Sequence, residues 1–224
     1  ILERANSTVV GRLVVESGVT VLVPDNKRIV QDVLIPNYKL EGARDGQIAV
    51  AEITDQPTYR RQPVGRITSI LGDRMAAGME VDVAINSHGI PCDWPEAVER
   101  ETAAIEDEVA DADKNKRKDL RKLPLVTIDG ADSKDFDDAV YCESKWNGWR
   151  LVVAIADVGA YVREGTELDA EAQRRGTSVY FPNRVVPMLP EKLSNGLCSI
   201  NPEVDRLCLA ADLRVGRDGT VGRI

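Results

Sequence analysis

Short apolar runs broken by turn residues fill the first third of the chain. Runs at 9–15, 19–23, 32–35, 48–53 and 64–71 are rich in Val and Ile, which suit a pleated, half-buried surface. Ser17-Gly18, Pro24-Asp25-Asn26, Asp45-Gly46 and Gln56-Pro57 separate them, and each carries turn chemistry. Five short strands without a long helix predict an all-β barrel of OB type over residues 1–72. The pattern then changes. Residues 73–122 read as a helical connecting region, with one short helix over 76–88 and a break at Trp94-Pro95. A second helix is expected over 97–109, where Val98, Ile105 and Val109 fall at helical spacing. A basic run over 114–122 follows. It reads either as a solvated helix end or as a phosphate-contacting edge.

From residue 123 onward, strands and helices mix. Strands are expected over 125–128, 139–142 and 207–214. Residues 151–155 form a continuous apolar run, as in a strand buried on both faces. Thr166-Glu-Leu-Asp169 predicts the start of a helix that runs to about Arg175 and stops at Gly176. The whole reads as a multi-domain chain: an all-β OB-type barrel followed by an α+β portion.

Aspartates crowd the turn between two of these strands, in Asp129-Gly-Ala-Asp132-Ser-Lys-Asp135-Phe-Asp137-Asp138. Two carboxylates about 4 Å apart repel by about 4 kcal/mol at an effective dielectric near 20, so a convergent set demands a counter-charge. A hard divalent cation, Mg²⁺ first, would supply it. The calcium-loop pattern fails: from Asp129 the third residue is Ala131 and the sixth Lys134, and from Asp135 the fifth is Ala139 and the sixth Val140. There is no Walker loop, and nothing indicates a small-molecule organic cofactor. One histidine in the chain leaves little for a Ser/His/Asp set or for zinc, and His88 with Cys92 lacks further ligands. Carboxylate-held Mg²⁺ is the equipment of two-metal phosphodiester hydrolysis. The competing reading is a solvated acidic loop. Phe136 inside the cluster weighs against it, as a side chain able to anchor the loop to a core.

The segment 123–140 resembles the catalytic segment of the ribonuclease II/R (RNB) family of processive 3′→5′ exoribonucleases. The likeness continues through Val153-Ala-Ile-Ala-Asp-Val158, Arg175-Gly-Thr-Ser-Val-Tyr-Phe-Pro182, Val186-Pro-Met-Leu-Pro190 and Leu193-Ser-Asn-Gly-Leu-Cys-Ser-Ile-Asn-Pro202. The resemblance implies that residues 1–72 are a cold-shock-type RNA-binding barrel and 123–224 the first part of a larger catalytic domain. It implies that Asp129, Asp135, Asp137 and Asp138 are catalytic and hold the metal. Asp129 and Asp138 would be the primary ligands, Asp137 would position the attacking water, and Asp135 would complete the shell. Asp132 matches no family position. Tyr180 matches the aromatic that stacks on the base at the RNA 3′ end. A late arginine on the scissile phosphate and a second clamping aromatic have no match up to Ile224.

Charge complicates the picture. The net charge is −8 and the pI about 4.9, the wrong sign for a nucleic-acid binder unless cations are focused locally. Tyr59, Arg60, Arg61 and Arg66 are the candidate single-stranded RNA surface on the barrel, with ordinary exposed arginines as the alternative. The four cysteines form no CxxC pair and read as thiols of a reducing cytoplasm. No run of 18 apolar residues and no signal peptide occur, so no membrane is expected. The chain opens on Ile1-Leu2-Glu3 and stops at Gly222-Arg-Ile224, which reads as a fragment, inactive alone and prone to self-association. Besides an exoribonuclease, a plain RNA-binding module and a DNA exonuclease stay open.

Overall fold

A computed structural model describes residues 7–73, 78–131 and 133–223. The chain divides into two compact units, Ile1–Cys92 with Phe181–Asn183, and Asp93–Tyr180 with Arg184–Ile224.

The first unit is the expected barrel. Strands β1 (Thr8–Glu16), β2 (Val19–Pro24), β3 (Val33–Ile35), β4 (Ile48–Asp55) and β5 (Val64–Gly72) close in the order β1-β2-β3-β5-β4. Closure comes from one parallel pairing, Leu34 with Val64. The β1–β2 turn needs positive φ at Ser17 and Gly18, the two-residue hairpin geometry that glycine favours. Gly11 has a different reason: a Cβ there would stand 2.1 Å from the Val23 carbonyl oxygen of the neighbouring strand. Val9, Leu13, Leu22, Val33, Ile35, Ala51 and Ile67 fill the interior. Val10, Ile48 and Val50 are buried as well, in a second cluster with Met79 and Val83 of helix α1 (Met79–Ser87). The helix expected from residue 76 thus packs on the barrel, and Ala76 lies outside the described residues.

The second unit holds α2 (Glu96–Ala104), α3 (Asp111–Lys114), β6 (Asp138–Lys145), β7 (Gly148–Ala156), α4 (Glu167–Arg175), all but the last residue of β8 (Val179–Phe181), β9 (Arg184–Val186), β10 (Cys208–Val215) and β11 (Val221–Arg223). Four strands form a sheet in the order β11-β10-β7-β6, antiparallel throughout, and β8 and β9 form a two-stranded sheet. The region 73–122 therefore divides: α1 joins the barrel cluster, while Val98 and Val109 join Leu168, Leu189, Leu193, Leu197 and Leu207 in the core of the second unit.

Three local expectations differ from the structure. The 97–109 helix stops at Ala104, because Ile105 turns extended with ψ 132°; its apolar spacing marks a shared core rather than one continuous helix. Residues 125–128 make only the bridge between Val126 and Val140, and Ile128 is 84% exposed, since the chain leaves the sheet for the aspartate turn. Residues 151–155 are not buried on both faces. Val152 and Ala154 are buried, while Ile155 is 45% exposed beside its partner Leu209. Helix α4 matches its signals: the Thr166 hydroxyl accepts from the Asp169 amide at 3.2 Å, and Gly176 ends the helix at φ +73°. The Asp169 carboxylate accepts from the Gly165 amide at 3.0 Å.

Candidate active site

The aspartate loop is held at both ends by backbone. On its N-terminal side, Val126 and Val140 exchange two hydrogen bonds of 2.9 and 2.8 Å. The chain then turns, with the Ser133 amide donating to the Gly130 carbonyl at 3.1 Å. On the C-terminal side, the Asp137 carbonyl accepts from the Ala156 amide at 2.9 Å, and Asp138 opens β6 opposite Ile155. Between them sits a clasp that sequence reasoning missed. The buried Ser199 hydroxyl accepts from the Phe136 amide at 2.9 Å and donates to the Lys134 carbonyl at 3.0 Å. The Ile200 amide adds a bond to the Phe136 carbonyl at 2.8 Å. Phe136 itself is half-buried and lies outside the core clusters. Its main chain does the anchoring that its ring was expected to do.

The clasp is built by the stretch 190–206. Lys192–Leu197 forms a π-helical turn, the Asn201 amide group donates to the Asn195 carbonyl at 3.0 Å, and Arg206 Nε donates to the Gly196 and Ser199 carbonyls at 2.8 and 3.0 Å. Leu193 and Leu197 are fully buried beneath it. The only sequence signal was the likeness of the 193–202 motif to the family, which gave it no role.

The carboxylates act on one another. The Asp137 carboxyl is pushed above the ordinary range by partial desolvation first, and then by Asp135, Asp138 and Asp129. Four carboxylates from a ten-residue stretch thus share one electrostatic neighbourhood, which oxygen-seeking cations relieve. Among the described residues, no three His, Cys, Asp or Glu side chains already stand at the spacing of a closed metal cage. The donor set fits a hard cation in chemistry, with water or substrate to complete the shell.

Tyr180 on β8 is 63% exposed, so it is not a core tyrosine. Its hydroxyl donates to Asp135 Oδ2 at 2.5 Å, and this bond, then burial, raises the phenol above its usual range. Cys198 is buried, and desolvation followed by Asp137 and Asp157 pushes its thiol up to about 12, which keeps it protonated and inert.

The basic run over 114–122 is largely committed within its own unit. Lys114 pairs with Asp205 at 3.1 Å, Arg117 with Asp157 at 2.6 Å, and Arg121 with Asp119 at 2.9 Å. These pairs favour a scaffold role over a phosphate edge.

On the barrel, Tyr59 is fully exposed on a turn in which Thr58 and Arg61 bridge, and Arg60 and Arg61 are exposed. Arg66 differs: its Nε pairs with Glu52 across the β4–β5 ladder at 2.7 Å, which offsets its charge. A second exposed aromatic with a cation, Tyr38 with the Lys39 ammonium 5.8 Å from its ring, was visible as adjacent residues and was not singled out.

Comparison with known proteins agrees with this architecture. The RNB domain matches residues 117–224 and the cold shock domain residues 22–95. Ribonuclease R of Escherichia coli K12 is 55% identical over 98% of the chain, that of Vibrio cholerae 56%, and that of Acidithiobacillus ferrooxidans 51%. The chain spans 27% of the first two and 50% of the third. Mycoplasma genitalium RNase R, solved in complex with double-stranded RNA, superposes with a TM-score of 0.89 at 28% identity, covering 99% of this chain and 39% of that one. Yeast Ssd1, a pseudonuclease, shares the fold at a TM-score of 0.75 and 19% identity. The chain belongs to the ribonuclease II/R family, of which it carries a cold-shock domain and the first part of an RNB domain.

Proposed function

We propose that a protein carrying this segment is a Mg²⁺-dependent 3′→5′ exoribonuclease that shortens single-stranded RNA processively to nucleoside 5′-monophosphates. The observation that carries the reading is the aspartate loop, fixed at both ends by backbone hydrogen bonds and clasped by Ser199, with the Asp137 carboxyl raised by partial desolvation and then by Asp135, Asp138 and Asp129. Asp129 and Asp138 would hold the cation and Asp135 would complete its shell. Mg²⁺ held there would lower the pKa of the attacking water and offset charge on the leaving oxygen. Asp137 orients that water. The Tyr180 ring stacks on the terminal base, worth about 1–3 kcal/mol for any base, which suits an enzyme that digests every sequence. Tyr59, Arg60, Arg61 and Arg66 give the barrel a single-strand surface, with Arg66 the weakest contributor because Glu52 holds it.

A cytoplasmic location is part of the proposal; among the described residues no helix is long and apolar enough to cross a membrane. The 224-residue chain by itself is proposed to be inactive, since it spans about a quarter of ribonuclease R relatives. The test is a full-length protein with labelled single-stranded RNA and a matched DNA. A Mg²⁺-dependent RNA ladder ending in mononucleotides is expected. Full activity in excess EDTA, equal shortening of DNA, or binding without cleavage would overturn the proposal.

A further inference from the structure

The 2.5 Å bond from the Tyr180 hydroxyl to Asp135 Oδ2 joins two functions that the family resemblance treats separately. A carboxylate that holds a cation must present one oxygen in a fixed direction, and a donor on its other oxygen does that. Asp135 needs such help. It lies in residues 133–137, which belong to no helix or strand, and the Ser199 clasp fixes the Phe136 main chain rather than the Asp135 carboxylate. Tyr180 is well placed to give it. It sits in the middle of the three-residue strand β8, whose approach is braced by the Ser178 hydroxyl accepting from the Met188 amide at 3.0 Å. Its ring remains largely exposed, so the hydroxyl bond leaves a face free for a base.

We infer that Tyr180 is a positioning residue for the metal site: its hydroxyl sets the Asp135 carboxylate while its ring receives the terminal base, so base and cation are held at one fixed separation. The inference rests on the proposed metal site and adds a role for the hydroxyl. It makes the terminal base and the scissile phosphate parts of one geometry, which is what removal of one nucleotide per cycle requires.

The test is Mn²⁺ binding to the 224-residue chain, read from the electron paramagnetic resonance signal of free Mn²⁺. Tyr180→Phe, which keeps the ring, should weaken Mn²⁺ about tenfold, the low end for loss of a partner behind a ligand because the pair is open to water. Tyr180→Ala should weaken it equally, since the ring plays no part in this step. Asp138→Asn, which removes a primary ligand, should weaken it further. Unchanged or tighter binding by Tyr180→Phe, with Asp138→Asn still impaired, overturns the hydroxyl's role and leaves the metal site standing. Wild-type binding by Asp138→Asn, or no saturable binding by any form, overturns the metal site and this inference with it.

Discussion

Ser199 contributes no charge to the site, yet it holds the main chain of the aspartate loop at Lys134 and Phe136. Its hydroxyl satisfies one donor and one acceptor of the loop while fully buried. Ser199→Ala should cost about 1–3 kcal/mol, the range for leaving partners unsatisfied, measured by urea unfolding. Divalent-ion affinity should fall by more than this loss of stability explains, because the loop loses its fixed path while the fold persists. Unchanged ion affinity would mean the backbone bonds at Ile200 and Ala156 suffice. Asp137→Asn in a full-length protein should abolish RNA cleavage and leave RNA binding nearly intact, since on the proposed mechanism it removes the group that orients the water, far from most phosphate contacts. Retained cleavage would remove Asp137 from the mechanism.

At the scale of elements, α4 shows how a helix can be tied down by charge. Glu171 is 5% exposed and accepts from Arg174 and Arg175. Arg175, whose side chain is 2% exposed, also donates to the Pro187 and Asp93 carbonyls at 3.1 and 2.9 Å and lies 3.5 Å from the Trp94 ring centroid. Arg175→Met should cost about 3 kcal/mol, the low end for breaking a buried pair, because Arg174 still neutralises Glu171. The Glu171 carboxyl is held below its ordinary range by the Arg174 bond first, then by Arg175, against desolvation. A depressed carboxylate contributes stability that is present above its unfolded pKa and is lost as pH falls through the folded one. Unfolding measured from neutral pH downward should therefore lose a component below about pH 4.5, and Glu171→Gln should remove that component. On the barrel, replacing Arg60, Arg61 and Arg66 with Ala should flatten the salt dependence of RNA binding by about 1.4 in log–log slope, two contacts at about 0.7 each, because Arg66 is already paired. An unchanged slope would make these arginines plain surface.

Elements governed by local rules were legible in the sequence. The five barrel strands follow from β-branched runs and turn residues, and α4 from its threonine cap and terminal glycine. What was not legible depended on partners distant in sequence. Nothing around Ile105 announces that its helix has ended, since its apolar side chain serves the same core either way. Nothing around Ser199 announces a hydroxyl that clasps a loop more than sixty residues earlier. The aspartates were legible as chemistry, because so many like charges in a short, core-flanked stretch need an explanation. The Tyr180 bond to Asp135 was not, because it joins two segments that only the fold brings together.

For the molecule as a whole, the informative surface is one face of the β10-β7-β6 sheet. Ile155 and Leu209 pair across β7 and β10 at 45% and 64% exposure, and Trp149, at 44%, stands opposite Val215 on the same face. Apolar side chains in register across neighbouring strands are the inner face of a layered domain, here facing water, in a chain that spans 27% of its Escherichia coli relative. Two consequences follow for the isolated 224 residues. They should be inactive, because one missing donor to developing charge already costs about 3 kcal/mol in rate, and none of these residues matches the arginine that the family resemblance expects on the scissile phosphate. They should also self-associate, because the apolar sheet face is open to a second copy. Sedimentation velocity over a wide concentration range should show a monomer giving way to larger species. Replacing Leu209 and Ile155 with Ser and Thr should shift that balance toward monomer without disturbing the barrel's circular dichroism. A chain that stays monomeric at every concentration would show that the face is tolerated in water. Shortening of labelled poly-A at the rate of a full-length relative would place the whole catalytic unit within these residues, and the exposed face would then need another explanation.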